Sequence, residues 1–320
     1  MTRIRDVADR AGVSTATVSR VLNGIPVRED LAEAVRSAVA ELGYVPHATA
    51  RSLRRGQSDV IALVVPDVEN PFFTTIARAV EDVAQEAGYS VVLCNSDDDV
   101  KKETKYLEIA TRENMAGVII APATADPAIS TLLASRRGVV VIDREVNFDI
   151  DQITFDNVQL GRQATRKLLD KGHEQIVCVT GPRTTSTAVQ RANGWQQELI
   201  SAGYPPDESA LTYANFRVDG GKDAAARYLE TGLLGGRATA ILATNNLVGV
   251  GVLQALSTLK SSSRSHVDVG IIGDLPFATS DLSSVSVTSL SPGEMGKAAI
   301  QRLLAQIDAR LNDALVKSNH

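Results

Sequence analysis

From residue 59 onward, short β-branched runs alternate with longer amphipathic segments, and this alternation restricts the possible folds more than any other feature of the chain. The runs lie at 60–65, 90–94, 117–121, 139–142, 153–155, 176–179, 240–243, 267–272 and 285–287. Most are almost continuously apolar, as strands covered on both faces must be. Strands alternating with helices predict parallel sheets in an α/β architecture. So many strands in roughly 255 residues suit two doubly wound lobes better than one. The first crossing between lobes is expected near 156–160. The expected spans are 59–156 plus 290–313 for one lobe and 157–289 for the other, together forming a ligand-binding and dimerisation domain over 59–320.

The first 43 residues have a different rhythm. Ile4, Val7, Ala8 and Ala11 recur at helical spacing, and Gly12 stops the run. Ser14 is placed to cap a second helix with Val18, Val21 and Leu22 on its apolar face. A third carries Leu31, Val35, Ala38, Val39 and Leu42 before Gly43. Two short helices joined by a tight turn and braced by a third form the helix-turn-helix pattern. Charge agrees with that reading. Residues 1–57 hold nine basic against six acidic side chains, a balance of +3, which leaves −8 on the rest of a chain whose net charge is −5. A basic end on an acidic body suits a polyanion contact confined to that end.

The second helix offers Thr15, Ala16, Thr17, Ser19 and Arg20 on its polar side. Arg20 can hold a guanine edge with two hydrogen bonds, Ala16 can sit on a thymine methyl, and the hydroxyls can meet phosphate or base edges. The same spacing also describes an ordinary solvated helix face. Residues 44–58 form a hinge or linker. Within it, 47–55 is a weak helical stretch too short to be stable alone, since isolated helices need roughly 12–15 residues.

Polar and aromatic residues cluster just after the apolar runs of the body. Asp67, Asn70-Pro71-Phe72-Phe73, Asp97, Asp143-Arg144, Asp156, Asn245-Asn246 and Asp274 all do so. In a parallel α/β sheet these are the carboxyl ends of strands, where ligands bind. Asp, Asn and Arg supply the donors and acceptors a polyol needs, and phenylalanine faces stack on sugar C–H surfaces. Taken singly, Asp97 and Asp156 read equally well as helix caps or turn residues.

Other classes find little support. No apolar run approaches membrane-spanning length and the N-terminus is polar, so a cytoplasmic protein is expected. Cys94 and Cys178 lie in apolar runs as buried thiols, with no metal-ligand spacing around them. Gly249-Val250-Gly251 lacks the third glycine of a dinucleotide fingerprint, and neither a phosphate-binding loop nor a nucleophile elbow occurs. Neither an enzyme, a cofactor nor a metal is expected.

Ile4-Arg5-Asp6-Val7-Ala8-Asp9-Arg10-Ala11-Gly12-Val13-Ser14-Thr15-Ala16-Thr17-Val18-Ser19-Arg20-Val21-Leu22-Asn23, followed by Leu42-Gly43-Tyr44-Val45-Pro46 and Ala50-Arg51-Ser52-Leu53, resembles the headpiece of the lactose-repressor family. The resemblance implies that Thr15, Ala16 and Arg20 read bases while Thr17, Ser19, Asn23 and Tyr44 position the phosphate backbone. It implies further that the hinge orders on DNA in a homodimer, with Leu53 as a minor-groove wedge and Arg54 beside it. The family carries His47 as asparagine.

The body resembles the two-lobed periplasmic sugar-binding fold that the same family carries. Asn70-Pro71-Phe72-Phe73 and Val141-Ile142-Asp143-Arg144 are similar to ribose-binding proteins. By that resemblance Asn70, Asp143 and Arg144 bond sugar hydroxyls, Phe72 and Phe73 hold the ring, and Arg191, Phe216 and Asn245 complete the contacts. Asn246 stands where the family has aspartate, the segment at Asp274 is short, and Leu290 or a neighbour replaces a glutamine. The implied protein is a transcriptional regulator, a repressor, bound to a pseudo-palindromic operator. Its implied effector is a pentose such as ribose, or a nucleoside. A different metabolite or a protein corepressor remains the alternative.

Overall fold

Helices α1 (Ile4–Ala11), α2 (Thr15–Leu22) and α3 (Glu29–Leu42) make up the N-terminal part of the computed structural model. It describes residues 2–22, 25–44, 58–258, 267–275 and 284–318. The chain divides into two units, Met1–Ser58 and Asp59–His320. In the first, Val7, Ala8, Val18, Val35 and Ala38 close a small core with Tyr44. Two left-handed glycines end helices here. Gly12 (φ 66) lets Val13 N–H return to the Ala8 carbonyl at 3.0 Å, and Gly43 (φ 57) lets Tyr44 N–H return to Val39 at 3.0 Å. Each folds an apolar residue back onto the helix it follows.

The second unit holds two five-stranded parallel sheets. The first contains β1 (Val60–Val65), β2 (Ser90–Asn95), β3 (Gly117–Ile120), β4 (Gly138–Ile142) and β5 (Asp151–Ile153), in the order β2-β1-β3-β4-β5. The second contains β6 (Ile176–Thr180), β7 (Leu211–Tyr213), β8 (Ala240–Ala243), β9 (Asp268–Ile272) and β10 (Val285–Thr288), in the order β10-β9-β8-β6-β7. The central strands are buried along their whole length, which is why their sequences read as unbroken apolar runs. Two expectations needed correcting. β5 lies two residues earlier than 153–155, and β7 had not been anticipated. Both are three-residue edge strands, mostly half-buried, and so carry no continuous apolar signal.

Helices α4 (Pro71–Glu86), α5 (Val100–Arg112) and α6 (Ser130–Ala134) belong to the first lobe. Helices α7 (Asn157–Leu169), α8 (Ser186–Ser201), α9 (Val218–Glu230) and α10 (Asn246–Ser257) belong to the second. The last helix, α11 (Pro292–Ser318), returns to the first lobe, where Ile300, Leu303 and Ile307 are buried against Ile76, Val80 and Val140.

Paired glycines hold the second lobe's helices at contact distance. A Cβ on Gly161 would lie 2.2 Å from the Arg191 carbonyl, and one on Gly194 would lie 2.1 Å from the Val158 carbonyl, so α7 and α8 touch backbone to backbone. Gly221 and Gly251 do the same for α9 and α10, at 2.2 Å from Val248 O and 2.0 Å from Val218 O. These contacts set the depth at which Arg191 and Asn245 stand. Among the described residues, no helix is long and apolar enough to cross a membrane.

Candidate functional site

The strands of both sheets end at one cavity of about 470 Å³. All nine residues anticipated as ligand contacts line it: Asn70, Phe72, Phe73, Asp143, Arg144, Arg191, Phe216, Asn245 and Asp274. Asp67 and Asp97 line it too, whereas Asp156 does not and instead caps α7 by accepting from Gln159 N–H at 2.9 Å. Asp98, Asn215 and Arg217 were not anticipated.

The first lobe contributes a strained, charged wall. Asp97 (φ 55), Asp98 (φ 56) and Asp143 (φ 64) all adopt left-handed backbone just beyond β2 and β4. That conformation costs a non-glycine residue about 1–2 kcal/mol, though aspartate tolerates it better than most. It turns Asp98 onto Arg144, whose Nη1 forms an ion pair with it while Nη2 donates to its second oxygen at 3.3 Å. Arg144 Nη1 also donates to the Pro122 carbonyl at 2.9 Å, and Nε lies 3.7 Å from Asp143. Burial works against the Arg144 charge, but Asp98 outweighs it and holds the guanidinium more firmly protonated. Burial also pushes the Asp143 carboxyl up, with Arg144 and then Arg191 pulling the other way.

Phe72 and Phe73 stand edge to face at 5.0 Å on the first turn of α4. Asn70 caps that helix, its Oδ1 accepting from Phe72 N–H at 3.0 Å. From the second lobe, buried Arg191 donates through Nε to Asn157 Oδ1 at 2.9 Å and through Nη1 to the Thr244 carbonyl at 2.7 Å. Burial lowers its pKa. Asn157 is therefore a positioning residue that the sequence did not advertise. Phe216 lies flat on Gly181, where a Cβ would meet its ring at 2.4 Å. Asn245 caps α10 through Val248 N–H at 2.8 Å and donates to the Phe216 carbonyl at 3.1 Å. Asp274 is exposed at the rim, after Gly273 (φ 100).

The two lobes touch across this cavity. Asn246 Nδ2 donates to Asn70 Oδ1 at 3.0 Å, and both residues are buried. Arg217 pairs with Asp97 at 3.5 Å. Glu145 N–H donates to Ser186 Oγ at 3.1 Å, and Gln190 Nε2 donates to Glu145 Oε2 at 2.8 Å. The lobes are thus in contact around the cleft.

In the N-terminal unit, Thr15, Ala16 and Arg20 are exposed on α2 and Thr17 is half-buried. Ser14 Oγ accepts from Thr17 N–H at 3.1 Å, the cap expected at this helix start. Ser19 departs from the solvated face expected of it and is buried next to Val18. Tyr44, read as a phosphate contact, is buried in the core of the unit. Asn23, Leu53 and Arg54, with the helix expected at 47–55, lie outside the described residues.

A helix-turn-helix unit followed by a two-lobed α/β body with a polar, aromatic cleft defines the class of ligand-sensing DNA-binding regulators. Comparison with known proteins agrees. Residues 3–47 match the family model "Bacterial regulatory proteins, lacI family". Residues 58–314 match "Periplasmic binding proteins and sugar binding domain of LacI family". The ribose operon repressor of Halalkalibacterium halodurans is 34% identical over 97% of this chain and 92% of its own length. That of Escherichia coli K12 is 32% identical over 96% and 93%. The lac repressor dimer bound to operator and the anti-inducer ONPF shares the fold at a TM-score of 0.83 and 24% identity, covering 96% of this chain and 93% of that one. A cellobiose complex of the regulator CelR superposes at 0.70, with 26% identity over 97% and 94%. The chain belongs to the LacI family of bacterial regulatory proteins. It is a DNA-binding transcriptional regulator.

Proposed function

We propose that the cleft is the effector site of a sugar-responsive repressor, and that the effector is built around a pentose, as ribose or a ribose-bearing compound such as a nucleoside. One observation carries this reading. Phe72 and Phe73 supply aromatic surface in the same cavity as Asp143, Arg144, Arg191 and Asn245, the combination of apolar faces and convergent polar groups that a sugar ring requires. The names of the ribose operon repressors among its relatives support it.

On DNA, Thr15, Ala16 and Arg20 read base edges from α2 in a major groove, and Thr17 and Asn23 set its register on the phosphates. Two copies of the chain on a near-palindromic operator place two such helices in successive grooves, with Leu53 and Arg54 of each hinge at the centre. The protein acts in the cytoplasm, where its DNA is. The domain spans follow the same division: headpiece 1–43, hinge 44–58, sensor 59–320. Effector binding changes the lobe contacts and thereby operator affinity, and the coupling is reciprocal.

A thermal-shift screen of pentoses, hexoses and nucleosides, with and without operator DNA, tests this. A sugar or nucleoside that raises the unfolding midpoint in a dose-dependent way is the expected result. Uniform silence across the screen contradicts a sugar-type effector.

A further inference from the structure

Resting on that reading of the cleft, we infer that its effector is an uncharged ribonucleoside rather than free ribose or a ribose phosphate. The first argument is size. Four interlobe contacts are already made: Asn246 to Asn70, Arg217 to Asp97, Glu145 to Ser186, and Gln190 to Glu145. The lobes are therefore in contact at several points around the space between them. About 470 Å³ remains. At roughly 15–20 Å³ per heavy atom in close-packed matter, the roughly ten heavy atoms of a pentose fill about 150–200 Å³. On the same scale, the roughly 17–20 heavy atoms of a ribonucleoside fill about 260–400 Å³. A lone pentose leaves more than half of this cavity empty, whereas a nucleoside fills most of it.

The second argument is the character of the space left over. With a pentose among Phe72, Asp143, Arg144 and Arg191, the rest of the lining combines apolar Ile272, Leu290, Pro292 and Pro66 with polar Asp67, Asn215, Arg217 and Asn246. By the family resemblance, Leu290 or a neighbour takes the place of a glutamine. A second sugar ring would meet the polar groups but strand the hydroxyls facing the apolar ones, at a cost of about 1–3 kcal/mol for each polar group stranded, whereas a base sets faces against the latter and edge donors and acceptors against the former. A nucleobase presents two flat, weakly solvated faces, which such surfaces cover well.

The third argument is charge. Asp67, Asp97, Asp98, Asp143 and Asp274 face three arginines, so five carboxyl groups oppose three guanidiniums around the cavity. Each arginine is already engaged by protein oxygens: Arg144 by Asp98 and Pro122, Arg191 by Asn157 and Thr244, Arg217 by Asp97. A phosphate dianion would have to break one of these pairs and face the remaining carboxylates, so the cleft selects against phosphorylated ligands.

Isothermal titration calorimetry of the full chain with D-ribose, ribose 5-phosphate, cellobiose, uridine, cytidine, adenosine and guanosine decides the matter. We expect at least one nucleoside to bind tenfold or more tighter than ribose, and tenfold or more tighter than ribose 5-phosphate and cellobiose. A smaller margin, or a tighter fit for any of those three, overturns the inference and leaves the sugar-cleft reading standing. Failure of all seven to bind overturns both. Leu290→Trp adds bulk to the cavity wall and should lower the nucleoside-to-ribose affinity ratio at least tenfold. An unchanged ratio places the base elsewhere and also overturns the assignment.

Discussion

The side-chain amide of Asn246 donates to Oδ1 of Asn70 across the cleft at 3.0 Å, joining the first turns of α10 and α4 from opposite lobes. Asn70 Oδ1 already accepts from Phe72 N–H at 3.0 Å, so the two bonds together fix which way its amide faces and leave its Nδ2 as the donor. An aspartate at 246, the family's usual residue, has no proton to give to that oxygen. Flipping Asn70 to meet it would forfeit the helix cap.

Asn246→Ala is expected to cost about 1 kcal/mol, the net worth of one hydrogen bond. Asn246→Asp should cost about 2–4 kcal/mol, because it buries an unpaired charge against an acceptor. Urea unfolding of both variants checks the order. An aspartate variant as stable as the alanine one removes the latch from the account.

Gly194→Ala puts a methyl 2.1 Å from the Val158 carbonyl and must push α8 off α7. The expected loss is at least about 1–3 kcal/mol, the range for overpacking, since backbone cannot rotate aside as a side chain can. Effector affinity should fall with it, because Arg191 rides on α8. Gly181→Ala meets the Phe216 ring first, and the ring can swing into the cleft. It should cost effector affinity about tenfold with little loss of stability. Denaturation and calorimetry on the two variants separate these outcomes.

Glu103 is 1% exposed, with Oε2 held by Ala123 N–H at 2.7 Å and Oε1 without a hydrogen-bond partner among the described residues. Burial raises its carboxyl above the ordinary value near 4.5, against the pull of Ala123 N–H and Arg144. The folded state therefore keeps its proton where the unfolded chain has lost it, and stability falls as pH rises from about 4.5 through the folded value. Glu103→Gln removes that loss. The variant should be more stable than the parent at pH 7 by on the order of 1 kcal/mol and equal to it near pH 4. Thermal unfolding across that range reads the crossover, and a variant less stable at pH 7 contradicts the assignment.

Arg20 is exposed on α2, where the proposed function has it reading a base edge. Arg20→Ala should cost about 1–3 kcal/mol of operator affinity and relax preference at one base pair. Fluorescence anisotropy on operator and scrambled duplexes tests this. Equal losses on both would reduce Arg20 to a phosphate contact.

The cleft was legible because parallel sheets put functional residues immediately after apolar strands. Asp143-Arg144 after β4 and Asn245 after β8 follow that rule, and it needs no knowledge of tertiary contact. What escaped depends on distance in the chain. Asp98 matters through Arg144, 46 residues away, and Asn157 through Arg191, 34 residues away. Asn246 could be seen as a departure from the family, but its partner Asn70 lies 176 residues off. β7 escaped because a half-buried edge strand of three residues has no periodicity to detect. In the headpiece, Ser19 was read as part of a polar helix side and Tyr44, through the family resemblance, as a phosphate contact, whereas the small core buries both.

The most direct test of the account is operator affinity measured with and without a cleft ligand. A duplex selected by the protein from a random pool is titrated in fixed salt, first alone and then with a saturating nucleoside or sugar. The account predicts that operator affinity shifts at least fivefold, with the ligand's own affinity shifted by the same factor when DNA is present. A ligand that binds the cleft yet leaves operator affinity unchanged would contradict it.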